Sequence, residues 1–364
     1  MQNIKQNPKK INKKKIVISK YKRKLLKHVW LVRTGLIALI LLSSYLLYFL
    51  ISLALGRFGI SSYLNLFSDF VFTPIQKIHT AENRTNILIL GKGGEGHEAP
   101  DLTDTIIFAS IDHVSPSLSL ISLPRDIWIP ELRAKLNSTY YWGNQKQENG
   151  GLILAKSTVE NIVGLPVHYG LVIDFSGFMK TIDVLGGIEV DIENGFVDEK
   201  YPIEGKEDDL CDGDSEFKCR YETVRFEKGR EIMNGETALV YARSRNAEGD
   251  EGTDLAREIR QQKILTAIQV KVLSSEILLS PKKIFSIWDV VRDSVETDMD
   301  LSVGAILARR FIQAKDKISS HVLSEDLLIN PPVQYRYDNL YVFIPEAGDW
   351  EDIHAWISET LTSN

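Results

Sequence analysis

The chain has 364 residues, 44% of them hydrophobic and 25% charged. That balance excludes a disordered, collagenous or coiled-coil protein as a whole and allows one large domain or two. The formal charge of −6 hides two unlike parts: residues 1–33 carry 12 Lys/Arg and no Asp/Glu, and the other 31 basic residues against all 49 acidic ones leave −18 on residues 34–364.

Thr34 to Gly56 is a run of 23 uncharged residues bracketed by Arg33 and Arg57. About 20 apolar residues cross a bilayer core, so the run predicts one transmembrane helix at 34–56. It is longer than the apolar core of a cleaved signal peptide, roughly 7–15 residues, and no A-x-A site follows. The basic cluster precedes it, so residues 1–33 are expected as a cytoplasmic tail and everything after Arg57 outside the membrane. Ten lysines and arginines between Lys9 and Lys27, with Tyr21 the one aromatic residue among them, read as a topology signal against anionic lipid, not as a nucleic-acid site.

Residues 57–84 read as a connector, and residues 85–364 as one extracytoplasmic domain. Asn86–Gly91 is a buried strand. Asp104–His113 and Ser117–Asp126 are two more, joined by a short turn as a hairpin. Helical pattern returns near 151–164, a strand follows at His168–Phe175, and a short helix runs to Gly186 with Ser176 as its cap. Ile188–Ile192 is a strand; residues 194–222 are acidic and turn-rich, a surface insertion. Asn234 caps a helix ending in VYARSR, and Thr253 or Asp254 caps one of about 20 residues. Helices near 284–295 and 301–315, a short strand LYVFIPE and a final helix DWEDIHAWISETL complete the chain. Interleaved strands and helices give an α/β class with a mixed sheet.

Cys211 and Cys219, the only cysteines, fall in the insertion. Their spacing permits a disulfide, contributing about 2–3 kcal/mol. Free thiols remain open, and so, less favourably, does a metal, since the run lacks the spacing of a calcium loop.

Gly91 to Gly96 fits G-x-G-x-x-G after a strand. A dinucleotide fingerprint needs a helix to open there; His97-Glu98-Ala99-Pro100 and then a strand follow, so the stretch is a turn or a loop shaping an anion site. The stronger pattern is a set of arginines near turns and helix ends: Arg125 with Asp126 after Pro124, Arg243 and Arg245 at a helix end, and Arg257, Arg260 and Gln261 on the next helix. Arg257 and Gln261 share a face. Arg243 and Arg245 are about 200° apart on an ideal helix and meet one ligand only where the helix unwinds. Surface pairing with Asp250, Asp254 and Glu258 is the plain alternative. Like charges 4 Å apart repel by about 4 kcal/mol at an effective dielectric of 20, so a true cluster needs an anion, and the guanidinium fork suits phosphate. Asp104 can hold Mg²⁺ together with phosphate oxygens, and Asp126 can orient an arginine or accept a hydroxyl proton.

The strings TDTIIFASID…LSLISLPRD, FSGFMKTIDVLGGIEVDI, KGREIMNGETALVYARSR and DLAREIRQQKIL resemble the LytR-CpsA-Psr family of bacterial cell-wall enzymes, over about Asn86 to Leu265. The resemblance implies a mixed central sheet flanked by helices behind one transmembrane helix. It also implies a Mg²⁺-dependent phosphotransferase that moves a glycopolymer phosphate from a polyprenyl-pyrophosphate carrier to a peptidoglycan hydroxyl. By position, Asp104 matches the metal-associated aspartate, Arg125, Arg243, Arg245, Arg257 and Gln261 the pyrophosphate-binding set, and Asp126 the Pro-Arg-Asp turn. The family's usual second aspartate is Gly93 here; Glu95, His97 or Asp101 are the nearby substitutes. A prenyl groove is sought along Ile259–Leu273 and around Phe178 and Leu185, where core packing is the competing reading. Two alternatives use the same region: a polyprenyl-pyrophosphate hydrolase, or a non-catalytic lipid- or glycopolymer-binding regulatory protein. A transcription regulator is disfavoured, because the folded part is expected across the membrane from DNA.

Overall fold

The structure is a computed structural model. It describes residues 33, 34, 37–47, 49, 68, 70 and 72–363, apart from 95, 96, 98 and 207. Two units are distinguished, Met1–Asn65 and Leu66–Asn364. Within the first, residues 37–47 are helical with exposed apolar side chains such as Leu39, Leu41 and Leu46. Much of the expected 34–56 span and residues 1–32 of the expected tail 1–33 lie outside the described residues. Among the described residues no helix is long and apolar enough to cross a membrane.

The second unit is built on a six-stranded mixed sheet in the order β11-β6-β1-β2-β3-β12. These strands are β1 (Arg84–Lys92), β2 (Thr103–Asp112), β3 (Ser117–Ser122), β6 (Tyr169–Asp174), β11 (Val295–Thr297) and β12 (Ile318–Val322). β1 and β2 are antiparallel, as are β2 and β3 in the expected hairpin, while β1 lies parallel to β6 and β3 parallel to β12. Alternation along the strands feeds two layers. Leu88, Leu90, Ile106, Phe108 and Ile121 pack on one face with α2 (Gly150–Val163) and α9 (Glu351–Thr362); Ile87, Ala109, Ile111 and Leu118 pack on the other with α8 (Leu301–Gln313). The helix α1 (Thr139–Lys146) packs on α2.

A second core joins α3 (Phe175–Leu185), β7 (Ile188–Ile192), β8 (Phe196–Pro202), β9 (Tyr221–Phe226), β10 (Gly229–Met233), α4 (Gly235–Arg243) and α5 (Asp254–Val272) through Ile182, Val190, Phe196, Phe226, Tyr241 and Ile264. The acidic stretch 194–222 contains an antiparallel pair, β8 with β9, whose connecting segment is closed by a Cys211–Cys219 disulfide with Cα atoms 5.5 Å apart. This decides between the staple, free thiols and a metal. Asp209, Cys211 and Cys219 are the one group of three metal-type side chains drawn together among the described residues, and both sulfurs are spent on each other.

Boundaries shift where tertiary chemistry wins. The cap of α3 is Asp174, whose Oδ1 accepts from Gly177 N at 2.7 Å, not Ser176: the cap lies two residues earlier, and the carboxylate at the end of β6 reaches the orphan amides first. β3 stops at Ser122, because Pro124 has no amide to extend the ladder. The expected LYVFIPE strand shrinks to β14 (Ile344–Pro345), paired with β13 (Leu328–Ile329). α6 (Ser275–Leu278) and α7 (Pro281–Ser294) carry the chain from α5 to β11.

At the end of the sheet where β1 begins, His113 N donates to Asn83 O at 3.0 Å and His113 Nε2 lies 2.7 Å from Thr85 Oγ1. Burial, reinforced by the nearby Arg310 charge, brings the His113 imidazole down to about 4. Its folded pKa is depressed, so the unfolded chain takes the proton first. The stability this neutral ring contributes is whole above about pH 6.5 and is lost as pH falls toward 4. Chemical denaturation at pH 7 and pH 4.5 should show a loss of about 1–2 kcal/mol, allowing for solvent screening of a half-exposed site, and His113→Gln should remove that part of the slope.

Candidate functional site

The antiparallel register between β1 and β2 breaks at one place. Gly91 faces Thr105 and Lys92 faces Thr103, so Asp104 is the extra residue of a bulge. A bulge re-aims side chains: Thr103 is fully buried, with its hydroxyl donating to Asn137 O at 3.0 Å, while the Asp104 side chain is 43% exposed. The bulge sits where β1 and the parallel β6 end, at Lys92 and Asp174. Ligands of open α/β sheets gather at such carboxyl ends.

Arg125 meets this carboxylate. Its Nη1 donates to Asp104 Oδ1 at 2.8 Å and its Nε lies 3.4 Å from Asp126 Oδ2. Burial works against the guanidinium charge, but the two aspartates outweigh it and raise its pKa above the ordinary arginine value. Asp126 is in turn held by Lys135 Nζ at 2.6 Å. The chain after Pro124 folds back through a two-residue ladder, β4 (Trp128–Ile129) with β5 (Ala134–Lys135). That hairpin returns Lys135 to Asp126 and Asn137 to Asp104, with Asn137 N donating to Arg125 O at 3.1 Å and Asn137 Nδ2 3.4 Å from Asp104 Oδ1. Neither Lys135 nor Asn137 stands out in the sequence, since only closure of the hairpin brings them to the aspartates.

The loop from Gly93 to Leu102 carries the second half. Among its described residues it opens no helix, and it joins β1 to β2, which counts against the dinucleotide fingerprint. Gly94 has φ +82°, and its amide donates to Pro100 O at 2.9 Å. His97 Nδ1 accepts from Ala99 N at 3.2 Å, and the ring stands edge-on to Phe175. Arg243 comes from the other core: its guanidinium lies 4.5 Å over the Phe175 ring and 5.8 Å from that of Tyr201, with Nη2 3.2 Å from His97 Nε2. The Tyr201 side chain is a further hydrogen-bond partner of Arg243. Among the described residues Arg243 and Arg245 form no ion pair with a carboxylate.

The expected helix unwinding is present. α4 ends at Arg243 and Ser244 turns extended, so Arg245 leaves the helix axis and is exposed. Arg257 and Gln261 are half-buried one turn apart on α5, which Thr253 caps and which packs on α4. Arg260 differs from its neighbours: it is 2% exposed and spends its donors inside the protein. Of the acids offered as surface partners, Asp250 forms no ion pair with these arginines among the described residues; it is Glu251 that pairs with Arg260.

Gly93 stands where the family resemblance expects an aspartate. A Cβ there would fall 2.5 Å from His97 Cγ, so His97 occupies the room a side chain at 93 would need. Asp101 is spent on Lys92 at 2.9 Å, and Glu95 lies outside the described residues. Asp104 is paired as well, with Arg125 at 2.8 Å, and stands exposed at the bulge as the candidate for a cation.

A LytR_cpsA_psr family model matches residues 70–356, and the chain belongs to that family. Among its relatives is the polyisoprenyl-teichoic acid–peptidoglycan teichoic acid transferase TagV of Bacillus subtilis, 28% identical over 354 residues, covering 93% of this chain and 80% of the relative. TagU of Bacillus licheniformis, named as the same kind of transferase, is 23% identical over 71% of this chain and 72% of its own length. The crystal structure of Bacillus subtilis TagV shares the fold at a TM-score of 0.54 and 24% identity, covering 78% of this chain and 99% of that one.

The β1–β2 loop tests how the two halves are coupled. An alanine Cβ at Gly94 would meet Asp174 Cβ at 2.8 Å in a backbone conformation that disfavours side chains. Gly94→Ala should cost about 1–3 kcal/mol in a thermal melt.

Proposed function

We propose that the protein is an extracytoplasmic phosphotransferase. It moves a glycopolymer phosphate from a polyprenyl-pyrophosphate carrier to a peptidoglycan sugar hydroxyl. The observation that carries this is the unneutralised pair Arg243 and Arg245 behind a bulge that exposes one carboxylate, in a family whose named relatives include teichoic acid transferases. Arg125, Arg243, Arg245, Arg257 and Gln261 bind the diphosphate, the guanidiniums spreading their charge over its oxygens. The acceptor hydroxyl oxygen attacks phosphorus, its proton passes to water, the bond to the polyprenyl phosphate breaks, and the leaving group departs as a phosphate whose charge the arginines already offset. No covalent enzyme intermediate is needed. Asp126, bonded to both Lys135 and Arg125, orients Arg125 and is committed to that task rather than to accepting a proton.

Asp104 suits Mg²⁺. It is partly exposed, and Oδ1 alone carries its bonds to Arg125 and Asn137 among the described residues. Mg²⁺ needs only one or two carboxylates when phosphate oxygens and water complete its shell. When bound, the ion would neutralise phosphate charge, with Asp104 as its protein ligand.

The apolar run 34–56 anchors the chain, with residues 1–33 cytoplasmic and the folded domain outside, where an oxidising compartment keeps Cys211–Cys219 closed. Anchoring raises the effective concentration of a lipid-borne substrate. For the prenyl chain, Leu185, Ile264 and Ala267 are excluded as lining, because all three are buried in packing. Half-covered apolar side chains remain on α3, α5 and α7, among them Phe178, Leu265, Phe285 and Trp288.

Full-length protein in detergent, given a polyprenyl-pyrophosphate-linked glycopolymer, Mg²⁺ and peptidoglycan, should yield glycopolymer covalently attached to the acceptor. Arg243→Ala and Arg257→Ala should each lower that rate by roughly 10²–10³-fold with an unchanged melting temperature. Transfer at the native rate by both variants would overturn the assignment, and release of free glycopolymer phosphate irrespective of acceptor would replace it with hydrolysis.

A further inference from the structure

The chain between Arg243 and Arg245 is held in a non-helical path, and two buried side chains hold it. Arg260, on α5, takes the carbonyls at the end of α4: Nε donates to Tyr241 O at 3.1 Å and Nη2 to Ser244 O, while Nη1 donates to Glu251 O at 2.9 Å and Glu251 Oε2 at 3.0 Å. Its guanidinium lies 4.7 Å over the Phe196 ring. A cation at a helix C-terminus meets the orphan carbonyls and the negative end of the dipole.

Asp198, on β8, takes the amides that follow. It is completely buried, and its Oδ2 accepts from Arg245 N at 3.1 Å and Asn246 N at 3.2 Å, while Oδ1 accepts from Lys200 N at 2.9 Å. The segment is also tied by a backbone bridge from Asp198 to Ala247 and by Asn246 Nδ2 donating to Lys200 O at 3.0 Å. Three residues further along β8, Tyr201 lines the Arg243 guanidinium. A buried carboxylate whose hydrogen bonds all go to backbone amides is costly unless the geometry it imposes matters.

We propose that Asp198 and Arg260 are positioning residues that clamp the Ser244 turn from its two sides and so aim Arg243 and Arg245 at the same diphosphate. This rests on the function proposed above. Neither residue touches the ligand; each acts through the backbone between the two arginines. Asp198→Asn is nearly isosteric, but its amide presents an N–H where one set of backbone donors needs an acceptor. The turn then loses either the Lys200 bond or the Arg245 and Asn246 pair.

The test is calorimetric titration of inorganic pyrophosphate, with Mg²⁺, into the full-length protein in detergent. For Asp198→Asn, and for Arg260→Lys, which keeps the charge and loses the fork, the dissociation constant should rise at least tenfold at unchanged stoichiometry. Adding Arg245→Ala to Asp198→Asn should cost less than it does in the native background, since both act on one contact. A purely structural role behaves differently: destabilised protein lowers the binding stoichiometry and leaves the affinity of the folded fraction alone, and that result, or a dissociation constant within twofold of native, overturns the clamp. If the native chain takes up no pyrophosphate, or Arg243→Ala binds it as well as the native chain does, the proposed function falls and the clamp with it. Native binding abolished by Arg243→Ala but untouched by Asp198→Asn and Arg260→Lys sinks the clamp alone.

Discussion

An Arg243 guanidinium without a carboxylate partner among the described residues is the constraint on which the site turns. Several arginines elsewhere in this domain are paired with carboxylates: Arg84 with Asp112, Arg125 with Asp104 and Asp126, Arg260 with Glu251. Arg243 rests instead on the faces of Phe175 and Tyr201, which stabilise a cation by about 0.5–2 kcal/mol without cancelling its charge. A folded protein tolerates such a residue next to further cations only when the surrounding structure fixes it there. The local field then favours an anion with several oxygens, and a diphosphate meets that demand better than a carboxylate because each guanidinium can take two oxygens at once.

The sheet supplies the complementary half. One register slip in the β1–β2 ladder turns Asp104 out of the sheet, and the hairpin after Pro124 brings Arg125, Lys135 and Asn137 to it. The same β1–β2 loop that starts after Lys92 and ends at the bulge carries His97 to Arg243. A single loop therefore spans the boundary between the two cores, and the backbone freedom of Gly94 at φ +82° is what lets it turn over the end of β6.

How much of this is visible in the sequence depends on the range of the forces involved. β1, β2 and β3 are legible because their apolar residues face packed layers on both sides. Asn234 and Thr253 are legible as caps because capping acts over three residues. Asp174 was harder to read than Ser176 because a strand-ending carboxylate and a serine compete for the same amides. β12, Ile-Ser-Ser-His-Val, carries three polar residues in five and is a strand only because β3 offers its edge. Within the site, the spacing of Arg257 and Gln261 shows a shared face, yet nothing local distinguishes Arg260, which sits next to Gln261 and is buried. Asp198 lies in a stretch that reads as solvated insertion, and its burial follows from the β8–β9 pairing and the return of the chain after α4.

The departure at Gly93 then has a physical reading. An aspartate there would add a second carboxylate beside Asp104 and draw the local charge toward a cation. The space is filled instead by His97, whose ring packs on Phe175 and borders Arg243. Exchanging a carboxylate for an imidazole at this point removes an anion that would have competed with the diphosphate for Arg243. The backbone between Arg243 and Arg245, tied by Asp198 and Arg260, is the part of the site that is in place before a substrate arrives.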